Sequence, residues 1–109
     1  MPAPEPLRGE VWDIAFPGFG EHPAVVLSVS PLNSRLGHVA VIPITGAAGA
    51  ELTHIPLGAD AGLTRYDQSY ADITGLQPVA RGRCRRRRGL LAPGELARLD
   101  DQMRTYLGL

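Results

Sequence analysis

His22, Thr45 and a run of arginines are the residues of this chain whose types suit chemistry on a phosphate. His22 stands between a glycine-rich turn, Pro17-Gly18-Phe19-Gly20, and an apolar run from Ala24 to Val29. A ring at the junction of loop and strand is well placed to meet a substrate, and imidazole both takes and gives a proton near neutral pH. Glu21 beside it is a carboxylate that could poise it, although neighbours on an extended strand point to opposite faces. Thr45 closes a second apolar run next to Gly46, where its hydroxyl can donate to a phosphate oxygen. Between Arg81 and Arg88 six of eight residues are arginine, in a chain without lysine. Residues 1–80 carry three arginines against eight acids, −5, and residues 81–109 eight against three, +5, so a net charge of zero hides a dipolar molecule. A polyanion such as nucleic acid would meet the basic segment first.

Arg81, Arg83, Arg85, Arg86 and Arg87, with Arg88 at the end of the run, are therefore expected to bind phosphates. In an extended segment Arg81, Arg83, Arg85 and Arg87 would share one face; a solvated basic loop is the plainer expectation. Arg35 and Arg65 are further cations available to a phosphate near Thr45. Phe19, in its loop, can stack on a base, and Gln68, within Tyr66-Asp67-Gln68-Ser69-Tyr70, can hydrogen-bond one. Trp12 and Phe16 belong to the core.

Other chemistries find little support. Histidines at 22, 38 and 54 and the single Cys84 match no zinc spacing, and no glycine run precedes a lysine, so neither a metal nor another cofactor is expected. Cys84 has no partner for an internal disulfide; arginines would favour its thiolate if it were exposed, but no base lies nearby in sequence. With no run of about 18 apolar residues and no basic-then-apolar leader, a cytoplasmic protein with no membrane contact is expected.

These side chains need a scaffold, and 109 residues at 44% hydrophobic suffice for one domain with a modest core. Residues 1–7 read as a flexible, proline-rich lead-in with little to bury, and residues 8–109 as the domain. Val11, Ile14 and Phe16 mark a first strand. Ala24–Val29 and His38–Ile44 are too apolar to have a wet face, so they read as central strands joined by a loop from Pro31 to Gly37. Leu52–Leu57 is a weaker strand, and Leu63–Ile73 and Leu76–Ala80 are further ones. Pro93 suits a first helical position, and Leu96, Leu99, Met103, Tyr106 and Leu107 recur at helical steps before Gly108, opposite a polar face with Glu95, Arg98, Asp101 and Arg104. Five or six short strands and a terminal α-helix make a small, mostly β barrel.

Four segments, Arg8-Gly9-Glu10-Val11-Trp12, His22-Pro23-Ala24-Val25-Val26-Leu27-Ser28, Val41-Ile42-Pro43-Ile44-Thr45 and Gly89-Leu90-Leu91 leading to Glu95-Leu96, resemble in order the MazF/PemK toxins of bacterial toxin–antitoxin modules. The resemblance covers nearly the whole chain from Arg8. It implies an SH3-like barrel of the CcdB/MazF type, a twofold homodimer, metal-independent cleavage of single-stranded RNA at short sequences, and neutralisation by a cognate antitoxin with an acidic and hydrophobic tail. It also implies an arginine before the second strand, where this chain has His22, and a threonine or serine at Thr45. The loop between the first two strands is shorter than in the longer members. Histidine lacks the permanent five-donor fork of arginine, so two other readings stand beside the ribonuclease: a catalytically weak member that binds RNA or antitoxin, and a gyrase-targeting toxin on the same barrel.

Overall fold

The computed structural model describes residues 5–58, 61–63 and 68–109. Arg65, with Tyr66 and Asp67, lies outside the described residues. Strand β1 (Glu10–Phe16) turns at Pro17-Gly18-Phe19 into β2 (Gly20–Val26). Gly18 and Gly20, at φ +80° and +73°, allow so tight a reversal because they have no side chain to clash in the left-handed region. The hairpin register sets Ile14 opposite His22 and Ala15 opposite Glu21. Strand β3 (His38–Thr45) pairs with β2 through Val41–Pro43, and with β5 (Ser69–Asp72) and β6 (Gln77–Ala80) at its two ends. Strand β4 (His54–Leu57) pairs with β5, and β7 (Cys84–Leu90) with β1, all antiparallel.

The order is β4-β5-β3-β2-β1-β7, with β6 beside β3. The expected barrel is thus realised as a curled antiparallel sheet whose ladder ends on β4 and β7 among the described residues. Successive residues of β1, β2 and β3 feed two cores. Val11, Val25, Ile42 and Ile44 pack with Leu99 and Met103, while Ile14, Phe16, Ala24, Val26, Val39 and Val41 pack with Val79 and Cys84. Burial on both faces is why these strands lack polar alternation.

Helix α2 (Pro93–Leu107) begins at the expected proline and ends at Gly108 in the left-handed conformation. Glu95, expected on a wet face, instead accepts from the Ala92 N–H at 2.9 Å and from Gly58 N, capping the helix and tying it to the end of β4. Leu99 and Met103 are buried, but Tyr106 and Leu107 are about half exposed.

The segment expected as a loop before β3 is instead a short helix, α1 (Ser30–Leu36), with Pro31 in its first turn and Gly37 at φ +71° as its C-cap. Its anchor is buried Asn33, whose Nδ2 donates to the carbonyls of Pro6 and Ser28 and whose Oδ1 accepts from Ser28 Oγ. Pro6 is itself fully buried, so the end of the supposed lead-in contributes to the packing. The arginine run is likewise structured: residues Arg81–Arg83 form a 3-10 turn and the rest is β7.

Candidate active site

A cleft of about 470 Å3 opens where β1, β2, β3 and β7 meet. It brings together all three of the expected catalytic side chains, His22, Glu21 and Thr45, and adds Asp13 and Arg88. The β1–β2 register carries Glu21 and His22 to its rim. His22 Nε2 lies 2.9 Å from the Phe19 carbonyl oxygen. A carbonyl can only accept, so Nε2 bears the proton and Nδ1 is left as the proton-accepting nitrogen. Thr45 Oγ1 accepts from the Ala47 N–H at 3.1 Å, which leaves its own proton to donate. Glu21 is exposed and makes no hydrogen bond to His22 among the described residues, as expected for neighbours on a strand.

Arg88 supplies the guanidinium. Its Nη1 donates to Asp13 Oδ1 and Oδ2 at 3.1 and 3.2 Å, and its Nη2 to the Gly62 carbonyl at 3.3 Å. Asp13, with 13% of its side chain exposed, also pairs with Arg86 at 3.3 Å. A guanidinium has five N–H donors, so this collar orients Arg88 while donor capacity remains for an anion.

The other arginines do not share a face. Two irregularities in the β1–β7 ladder, between Val11 and Trp12 and between Asp13 and Ile14, leave Arg88 and Arg85 without cross-strand partners on β1 and reset the alternation twice. Arg81 Nη1 donates to the Asn33 and Ser34 carbonyls, and Arg83 Nη1 to the Ala15 carbonyl. Arg87 Nε donates to Glu10 Oε2 at 2.5 Å. Arg85 is exposed and has no ion-pair partner among the described residues, and Arg35 is exposed on α1 away from the cleft. Gln68 Nε2 donates to the Leu57 and Ser69 carbonyls, bracing the β4–β5 pair rather than lining the cleft. Phe19 borders an adjoining recess that shares His22 and Thr45. Asp13 escaped the sequence reading as a site residue, and Arg88 entered it only as the last of six arginines expected to bind phosphates, with nothing to single it out.

Two further groups are perturbed. Burial alone would raise the Glu10 carboxyl, but hydrogen bonds from the Leu7 N–H, Trp12 Nε1 and Arg87, with the charge of Arg87, outweigh it and hold the group below the usual carboxylate range. Burial pushes the Cys84 thiol up to about 11, so the arginines beside it in sequence do not activate it. No group of three or more metal-ligating side chains occurs among the described residues.

Residues 7–107 match the family model described as PemK-like, MazF-like toxin of type II toxin–antitoxin system. The chain belongs to this family. It is 29% identical over 101 residues to the probable endoribonuclease MazF2 of Mycobacterium tuberculosis, covering 93% of this chain and 97% of that one. Among solved structures it resembles a mycobacterial endoribonuclease in complex with its cognate antitoxin (TM-score 0.85, 22% identity, 95% and 96% of the two chains). It also resembles the MazE-MazF complex of Deinococcus radiodurans (TM-score 0.82, 23% identity, 97% and 98%). At those identities the structural likeness is one of fold, and it supports the expected MazF-type barrel. Within this PemK/MazF-like framework the arginine implied at position 22 is replaced by His22, which lies within β2, and a guanidinium enters the cleft from β7.

Proposed function

We propose that this PemK/MazF-like toxin is a metal-independent endoribonuclease that cuts single-stranded RNA at short sequences and is neutralised by a cognate antitoxin. The observation that carries the reading is the convergence of His22, Thr45 and Arg88 on one cleft. His22 Nδ1 takes the proton of a ribose 2′-hydroxyl. The 2′-oxygen attacks the adjacent phosphorus, the bond from phosphorus to the 5′-oxygen breaks, and the imidazolium returns the proton to the departing oxygen. The products are a 2′,3′-cyclic phosphate and a 5′-hydroxyl. Arg88 and the Thr45 hydroxyl donate to the phosphoryl oxygens as negative charge builds on them. Glu21, at the rim, steadies the imidazolium through space. DNA lacks the nucleophile and is not cut.

One observation favours a second reading, a weak or inactive member that binds RNA or antitoxin. Asp13 already faces Arg88 with both carboxylate oxygens, so a phosphate must compete for the guanidinium. Incubation of purified protein with mixed-sequence RNA in EDTA, beside a 2′-deoxy control, decides between them. Cyclic-phosphate ends from the ribose substrate alone support the enzyme; RNA binding without any cut supports the second reading. Expression without antitoxin should arrest growth in the cytoplasm, where RNA is the target. The antitoxin is expected to offer apolar side chains to the same cleft and acidic ones to the arginines of β7 beside it.

A further inference from the structure

The cleft continues into a more open, largely apolar recess of about 330 Å3, bounded by Phe16, Phe19, Pro43, Ile44 and Gln77 as well as His22 and Thr45. The side chains of Phe19 and Gln77 have no part in the reaction steps above. We infer that this recess holds the nucleobase next to the reacting phosphate, with Phe19 as its stacking surface and the Gln77 amide selecting bases that carry an amino group. The inference rests on the reading of the cleft as an RNA site.

Phe19 is 78% exposed, at a loop tip where an isolated ring has no packing reason to stand. A base stacked on it would cover ring surface that now faces water. The recess shares His22 and Thr45 with the cleft, so a base held there adjoins the proposed phosphate site. Gln77 sets the polarity. Its Nε2 donates to the Gly75 carbonyl at 3.0 Å, and because a carbonyl only accepts, the nitrogen end of the amide is anchored and Oε1 is left to accept. The anchor is firm: Asp72 Oδ1 accepts from Thr74 N and Oγ1 to cap the Ile73–Gly75 turn. A Cβ on Gly75 would fall 2.5 Å from Pro43 Cγ, so this turn is packed directly on the recess wall. A fixed acceptor favours the N–H donors of adenine, cytosine or guanine. Where Oε1 faces the exocyclic group of the base, uracil presents a carbonyl and opposes oxygen to oxygen, its one Watson–Crick donor being the ring N3–H.

Binding of short RNAs with 2′-O-methyl ribose, which cannot be cut, tests this with each base in turn at every position. At one position an amino-bearing base is expected to bind about tenfold more tightly than uracil. Gln77→Leu should abolish that ratio and leave other positions unchanged, whereas Phe19→Ala should weaken all four bases alike by about tenfold. On the wild-type protein, replacing adenine by unsubstituted purine at that position should reproduce the loss, which removes any dependence on the variant's folding. No base preference in the wild type, or one that survives both Gln77→Leu and the purine replacement, overturns the assignment. Cleavage of ribose substrates without the preference sinks this inference alone, and the preference without cleavage sinks the ribonuclease reading alone.

Discussion

In the proposed mechanism His22, Thr45 and Arg88 are each set by their hydrogen bonds. The Phe19 carbonyl selects the His22 tautomer with Nδ1 open, the Ala47 N–H occupies the Thr45 oxygen and leaves its proton free, and Asp13 aims Arg88. His22 is exposed, so His22→Ala should fold normally and lose about 10²- to 10⁴-fold in cleavage, read from single-turnover rates. Arg88→Lys should lose nearly as much as Arg88→Met, roughly 10²-fold or more, because an ammonium cannot keep Asp13 and Gly62 while offering a planar fork to a phosphate. Near-normal cleavage by Arg88→Met would remove that guanidinium from the mechanism. Cys84 is 2% exposed and its thiol is held at about 11, so it should resist alkylation at pH 8 in the native protein and react once urea unfolds the chain. Rapid modification of folded protein would contradict its place in the core.

At the scale of elements, the site depends on how β7 is held against β1. Gly62, at φ +75°, presses on this strand so closely that a Cβ would lie 2.0 Å from the Arg88 carbonyl oxygen. Gly62→Ala should therefore displace Arg88 and lower cleavage and stability together, the latter by about 1–3 kcal/mol, as thermal denaturation would report. Wild-type values for both would show that the backbone there yields freely. Glu10, opposite Leu90 at the same end of the β1–β7 pair, clamps it through Arg87. Its folded-state pKa lies below its unfolded value, so the stabilisation is complete above the unfolded carboxylate range and is lost as pH falls through the folded value. Glu10→Gln should cost about 1–3 kcal/mol at pH 7 and flatten the acid side of the stability profile, measured as urea midpoints between pH 7 and pH 3. An unchanged acid slope would assign the loss to other carboxylates.

For the whole molecule, the dipolar charge pattern becomes a structure in which the basic strand borders the cleft but is partly neutralised by it. Glu10 and Asp13, from the acidic part of the chain, face Arg86, Arg87 and Arg88 across the β1–β7 ladder. The long-range field that a polyanion would feel is accordingly weaker than six arginines suggest. Tyr106, Leu107 and Leu109 at the end of α2, with Leu52, are exposed apolar groups of the kind a second subunit covers. The twofold homodimer implied by family resemblance is expected in solution, and light scattering across a range of concentrations should give twice the 11.7 kDa of one chain. A monomer mass at every concentration, with full activity, would refute it.

Sequence by itself determined the elements whose causes are local. The apolar runs of β2 and β3, the glycine turn before β2, and α2 from Pro93 to Gly108 follow from side-chain periodicity and backbone permissiveness over a few residues. It also singled out His22 and Thr45, and both line the cleft, although His22 lies inside β2 rather than before it. Tertiary structure alone decided which arginine enters the cleft. The choice depends on two bulges against β1 and on Asp13, more than 70 residues away in the chain, and no alternation within the run can express that pairing. The same holds for α1. Its seven residues are too few to form a helix unaided, and it exists because buried Asn33 ties it to Pro6 and Ser28.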